Sequence, residues 1–176
     1  MRDHYEGTPM DITNGLGSLP WQMPYRVTPL SYKVDGKEYF NERPISTVQS
    51  SAIYVAQMRD WLPDYIGGVL WFGNDDANMV ALTPIYSCLE SVPDCYSAKH
   101  ANATTFSFRN AYWVCNWVSN MVYYRYDLLF PELKTVRDRL EKDFNSVQDY
   151  MEAKAKEMGE VEGKKFLSDY SHRMAA

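Results

Sequence analysis

No apolar run in this 176-residue chain approaches the ~20 residues that a membrane span needs. Cysteine and histidine are scarce, three of each. No CxxC pair and no paired histidines occur, so the chain carries no zinc-type ligand spacing and no metal is expected. Positive charge is in deficit: 18 Lys and Arg against 23 Asp and Glu leave a net charge of -5. Such a surface repels phosphate backbones, which argues against nucleic acid as a partner. Met1-Arg2-Asp3-His4-Tyr5-Glu6 has no apolar core, so it does not read as a signal peptide. Internal repeats and low-complexity tracts are also missing.

The chain does have a large apolar and aromatic content. Hydrophobic residues make up 45% and aromatics 15%, with 14 Tyr and 5 Trp. That is enough for one globular domain with a bulky core or a ring-lined cleft. The first residues read as the last turn of a helix stopped by Gly7. Neither end carries a clean boundary signal, which leads us to expect a piece of something longer. Residues 7–30 hold four prolines and no helical or strand period, so they read as a long loop. Within it, Trp21 to Tyr25 either wraps the core or holds a ligand.

Ser31 to Phe40 alternates around Asp35-Gly36, a hairpin with a type I′ turn. Thr47 to Met58 reads as a strand with apolar residues on both faces, hence a strand covered on both sides. Val69-Leu70-Trp71-Phe72 and Met79-Val80-Ala81-Leu82 form a second hairpin, closed by a loop of about six residues. That loop carries two adjacent carboxylates, Asp75 and Asp76. They are either a solvated turn or part of a site. From Asn110 to Tyr126 apolar residues appear all round, which predicts a buried helix capped by Ser107. Pro131 then suits the start of an amphipathic helix ending near Gly159, and a short helix follows Gly163. The sum is α+β: antiparallel strands over 31–88, then C-terminal helices over 107–176.

The chemistry legible in single residues is thin. Cys88 and Cys95 either form a disulfide worth ~2–3 kcal/mol or stay as thiols. Cys115 reads as a small buried hydrophobe. Cys95 and His100 make no convincing nucleophilic pair. No cofactor is implied.

Several stretches taken together resemble the C69 family of dipeptidases. They are Arg2-Asp3-His4-Tyr5-Glu6-Gly7-Thr8, Arg43-Pro44-Ile45-Ser46-Thr47, Gln57-Met58-Arg59 with Leu62-Pro63 and Ile66-Gly67-Gly68, Trp71-Phe72-Gly73 with Asp75-Asp76-Ala77, and Thr83-Pro84-Ile85-Tyr86. The resemblance implies part of an N-terminal-nucleophile hydrolase, a four-layer αββα sandwich with two stacked antiparallel sheets. It implies dipeptide hydrolysis by a cysteine exposed at a processed N-terminus. No cysteine here stands in that position. The chain is therefore expected to be the C-terminal portion, to need the missing N-terminal half, and to be inactive alone. Arg43, Asp75 and Asp76 are the expected substrate-binding residues. Arg43 would orient a carboxylate or steady a developing oxyanion, unless it pairs with Glu42 or another nearby carboxylate. The aspartates would take an amine or brace the cleft. Export, and self-association through an exposed apolar face, also follow from the resemblance. The other readings of the sequence are a non-catalytic peptide- or sugar-binding domain and an amidase acting on acylated small molecules.

Overall fold

In the computed structural model, residues 1–26 and 31–176 are described. Residues 27–30, the end of the expected long loop, lie outside the described residues. Strands β1 (Ser31–Val34) and β2 (Lys37–Phe40) form the hairpin read from Asp35-Gly36. Both turn residues have positive φ, 50° and 76°, as a type I′ turn requires. Every residue of β1 and β2 is exposed. Tyr32 and Tyr39 pair across the strands with rings stacked at 5.8 Å.

The main sheet is antiparallel, in the order β3 (Ala52–Met58), β4 (Gly68–Asn74), β5 (Thr83–Tyr86). A single helical turn, α1 (Asp64–Gly67), joins β3 to β4. Register pairs Val55 with Trp71 and Trp71 with Pro84. Alternation then places Ile53, Val69, Trp71 and Tyr86 on one face, where they are buried. The second strand of this hairpin begins at Thr83, not Met79. Residues 75–82 are irregular because the buried polar contacts described below hold them.

Two helices supply the other layer. Helix α2 (Ala111–Tyr124) is capped by Asn110, whose side chain accepts from Trp113 N at 3.3 Å, and not by Ser107. Helix α3 (Tyr126–Ala175) starts five residues before Pro131. Gly159, at φ 79° and ψ 172°, divides α3 into two arms. The arms fold back closely. A Cβ at Gly163 would sit 2.5 Å from Ala155 O and 2.8 Å from the Tyr65 ring. Ala155, Leu167 and Tyr170 from the two arms pack with Val69, Trp71 and Tyr86 in one core cluster. A second cluster joins Ile53, Met79 and Val80 to Val122, Tyr123 and Tyr126. Each large side chain so buried contributes roughly 1.5–3 kcal/mol.

A buried polar network crosses this interface. Arg59 forms a bidentate pair with Glu152 at 2.7 and 2.8 Å. Glu152 also accepts from Tyr86 OH and Gln148, and Gln57 accepts from Trp71 Nε1 and Gln148.

Three further expectations change. Residues 1–7 are not the end of a helix; they form an irregular segment with Tyr5 at φ 62°. β3 is an edge strand, and its row Ala52, Tyr54, Ala56 and Met58 is open, with Met58 77% exposed. Its apolar composition on both faces was read correctly, but among the described residues only one face is covered. Helix α2 lies at the surface, with Trp117 51% and Met121 54% exposed. Only Ser119, Val122 and Tyr123 of this helix are buried, because a single face meets the core. The architecture is α+β: an exposed two-stranded hairpin, and a three-stranded antiparallel sheet packed on a helical layer.

Candidate functional site

Three of the sequence stretches singled out above meet at the end of β4. Asp75 and Asp76 follow the strand directly, and each is only 1% exposed. They are neither a solvated turn nor a loop tip. Asp76 lies between two hydroxyls: Tyr123 OH on α2 donates to one carboxylate oxygen at 2.6 Å, and Ser46 Oγ donates to the other. Asn78 N donates to Asp76 at 3.3 Å and to Ser46 Oγ at 3.2 Å. The carboxylate thus ties the Arg-Pro-Ile-Ser-Thr stretch to α2.

Asp75 is placed differently. It has φ 81°, an unfavourable conformation for a residue with a Cβ, and its own Oδ1 accepts from Asp76 N at 2.8 Å. Its Oδ2 and Ser119 Oγ are both buried without a hydrogen-bond partner. Burial pushes the Asp75 carboxyl above its ordinary value, against the pull of the Asp76 N hydrogen bond.

The rest of the 75–82 loop is anchored by arginines. Arg2 donates to Ala77 O at 2.6 Å and Val80 O at 2.9 Å, and it pairs with Glu141 on α3. Glu141 also accepts from Leu82 N at 2.8 Å. Burial raises the Glu141 carboxyl, but the Arg2 and Leu82 donors outweigh it and the net shift is downward. Arg137 reaches Asn78 O from α3, and Asn78 in turn donates to Tyr126 OH at 2.8 Å.

Arg43 stands outside this buried set. Its guanidinium is exposed and bonds Gln49 Oε1 at 3.1 Å. The expected alternative pairing with Glu42 is not formed, because Glu42 pairs with Arg26 at 2.7 Å. Among the described residues, Arg43 has no carboxylate partner. Its backbone is held firmly. Ile45 N and Ser46 N both donate to Asp3 O at 3.2 Å, Pro44 is buried, and Tyr5 OH approaches Arg43 O at 3.5 Å. The structure therefore joins Asp76 to the Arg43 segment through Ser46, without bringing the guanidinium onto either carboxylate.

Sequence reading missed His4, Ser46, Ser119, Tyr123 and Tyr126. His4 is 1% exposed, with Nδ1 at 3.1 Å from Glu6 Oε1 and Nε2 unpartnered. Tyr123 and Ser119 sit inside an apolar run that signals only packing. The Trp21–Tyr25 loop wraps the core: Met23 is buried and Tyr25 packs edge-on against Tyr123 at 5.2 Å. A cleft of about 460 Å3 opens nearby, lined by Tyr96, Asn102, Asn110, Tyr112, Trp113 and Asn116.

All three cysteines are unbridged. Burial pushes each thiol upward, Cys115 to about 11. The hydrogen bonds recorded for Cys88 and Cys95 run to backbone oxygens, of Lys164 and Ala175. Nothing here makes an activated thiolate. Among the described residues no group of three or more His, Cys, Asp or Glu is placed to hold a metal ion. Among the same residues no helix is long and apolar enough to cross a membrane.

Among the described residues the site is thus a braced scaffold in which the exposed Arg43 guanidinium meets no carboxylate and no thiol is activated. No curated protein matches this chain. The family model for peptidase family C69 matches residues 1–139, a stretch that includes Arg43, Asp75, Asp76 and Tyr123. The chain belongs to peptidase family C69.

Proposed function

We propose that this chain is the non-nucleophilic part of a cysteine-type dipeptidase. Hydrolysis runs through a thiolate that attacks the peptide carbonyl while the amine of the same N-terminal residue moves the proton; that cysteine lies outside this chain. Family membership carries the reading. Two further observations support it. No thiol here is activated, and the open row on β3 leaves a largely apolar face suited to a second sheet. Arg43, unpaired and held by its backbone, is the residue we assign to the substrate carboxylate, as a guanidinium matches a carboxylate in a bidentate fork. Asp76 braces the Arg43 segment through Ser46, and both aspartates are too deeply buried in this chain to meet a substrate directly.

The test is dipeptide hydrolysis by the pure chain and by the same chain joined to the coding sequence that precedes it in its gene. Turnover only in the longer protein supports the reading. Turnover by the 176-residue chain itself overturns it. In the active protein, Arg43→Ala is expected to raise KM about tenfold or more with a smaller fall in kcat.

A further inference from the structure

Cys95 and Cys115 line the same cavity of about 430 Å3, with Phe108, Arg109 and Val114. They come from separate elements, Cys95 from the short turn Asp94–Tyr96 and Cys115 from the second turn of α2. Cys88 is nearer to Cys95 in sequence but faces elsewhere, with Sγ 3.9 Å from Lys164 O on the second arm of α3. Cys95 bears on the ionisation of Cys115, while the charges bearing on Cys88 are those of Lys164 and Glu90. The segment 94–110 that carries Cys95 also forms one wall of the 460 Å3 cleft, through Tyr96, Asn102 and Asn110.

We propose that Cys95 and Cys115 are a redox modification site, joined by a small-molecule disulfide into an intrachain bridge that ties the 94–110 segment to α2 and fixes that cleft wall. Cys95 gives up its proton, and its thiolate attacks one sulfur of the small disulfide, forming a mixed disulfide and releasing one small thiolate. Cys115, deprotonated in turn, attacks the Cys95 sulfur and releases the second small thiolate. The two protein thiols are oxidised to one disulfide, and the small disulfide is reduced to two thiols, which take up the two protons. Since burial holds both thiols protonated, the rate is expected to climb about tenfold per pH unit between pH 7 and 9.

The experiment uses oxidised glutathione on the whole chain at pH 8.5, then alkylation, tryptic digestion without reduction, and mass spectrometry. Trypsin leaves Cys88 and Cys95 together in the peptide 60–99 and Cys115 in 110–125. The expected product links 60–99 to 110–125, persists in Cys88→Ala and vanishes in Cys115→Ala. In Cys88→Ala the bridge should raise Tm by roughly 10 °C. A two-hydrogen loss confined to 60–99 would mean a Cys88–Cys95 bridge and overturn the proposal. Mixed glutathione adducts that never resolve, or a link lost in Cys88→Ala, also overturn it. If Cys115→Ala unfolds the chain, Cys115→Val, whose branched side chain still fills the half-buried position, takes its place.

Discussion

Tyr123 OH donates to Asp76 at 2.6 Å, joining α2 to the end of β4 inside the core. Asp76 also takes Ser46 Oγ, so one carboxylate holds three parts of the chain together. Asp76→Ala strands both hydroxyls in the core. It should cost ~2–4 kcal/mol in urea unfolding. Tyr123→Phe removes one donor and should cost less, ~1–2 kcal/mol. Equal stability of Asp76→Ala and the parent chain would mean that the carboxylate is no brace.

Arg59 and Glu152 are 9% and 8% exposed and paired at 2.7 Å. Arg59→Met leaves Glu152 buried and uncompensated, with a cost of ~3–5 kcal/mol. Adding Glu152→Leu should return part of that stability, though Tyr86 and Gln148 then lose their acceptor. Chemical denaturation of the single and double variants reads the coupling directly.

Gly163 and Gly159 fail for different reasons. Gly163→Ala drives a methyl group to 2.5 Å from the backbone oxygen of Ala155 and pushes the two arms of α3 apart. Gly159→Ala meets no atom within 4 Å and suffers only its positive φ, at about 1 kcal/mol. Thermal unfolding should rank Gly163→Ala as the less stable of the two.

Buried Asp75 and half-buried Glu141 respond oppositely to pH. Asp75, raised above 3.8, binds its proton more tightly folded than unfolded. Its contribution is full below 3.8 and is lost as pH climbs to the raised value. Asp75→Asn removes this loss, so its stability relative to the parent chain should improve between pH 4 and 7. Glu141, lowered from 4.5, stabilises above that value, and its contribution is lost as pH falls through the lower folded value. Glu141→Gln should therefore cost most near neutrality and least in acid. Parallel pH profiles for the two variants would contradict both assignments.

Local chemistry was legible wherever a residue acts through its own backbone. Asp35-Gly36 set a turn because both positions accept positive φ, and Gly159 broke the long helix for the same reason. The period of two placed β3 and a short run of strand formers placed β4, although pattern alone extended β3 back to Thr47 and started β5 four residues early. Ser107 and Pro131 misled because each is only a preference. Asn110 had the side chain in reach of Trp113 N, and packing of Tyr126 and Phe130 began the helix before the proline.

The order of short motifs in the sequence by itself determined the family, since each motif reflects a local backbone need or a fixed polar partner. The tertiary structure decided what those partners are. Asp75 and Asp76 have the composition of a surface turn, yet they are buried, because Ser46, Tyr123, Arg2 and Arg137 arrive from positions far away in sequence to satisfy the loop. It also decided that apolar faces on β3 and α2 stay open. Residue type records a preference for burial, but only the arrangement of layers decides which face is covered.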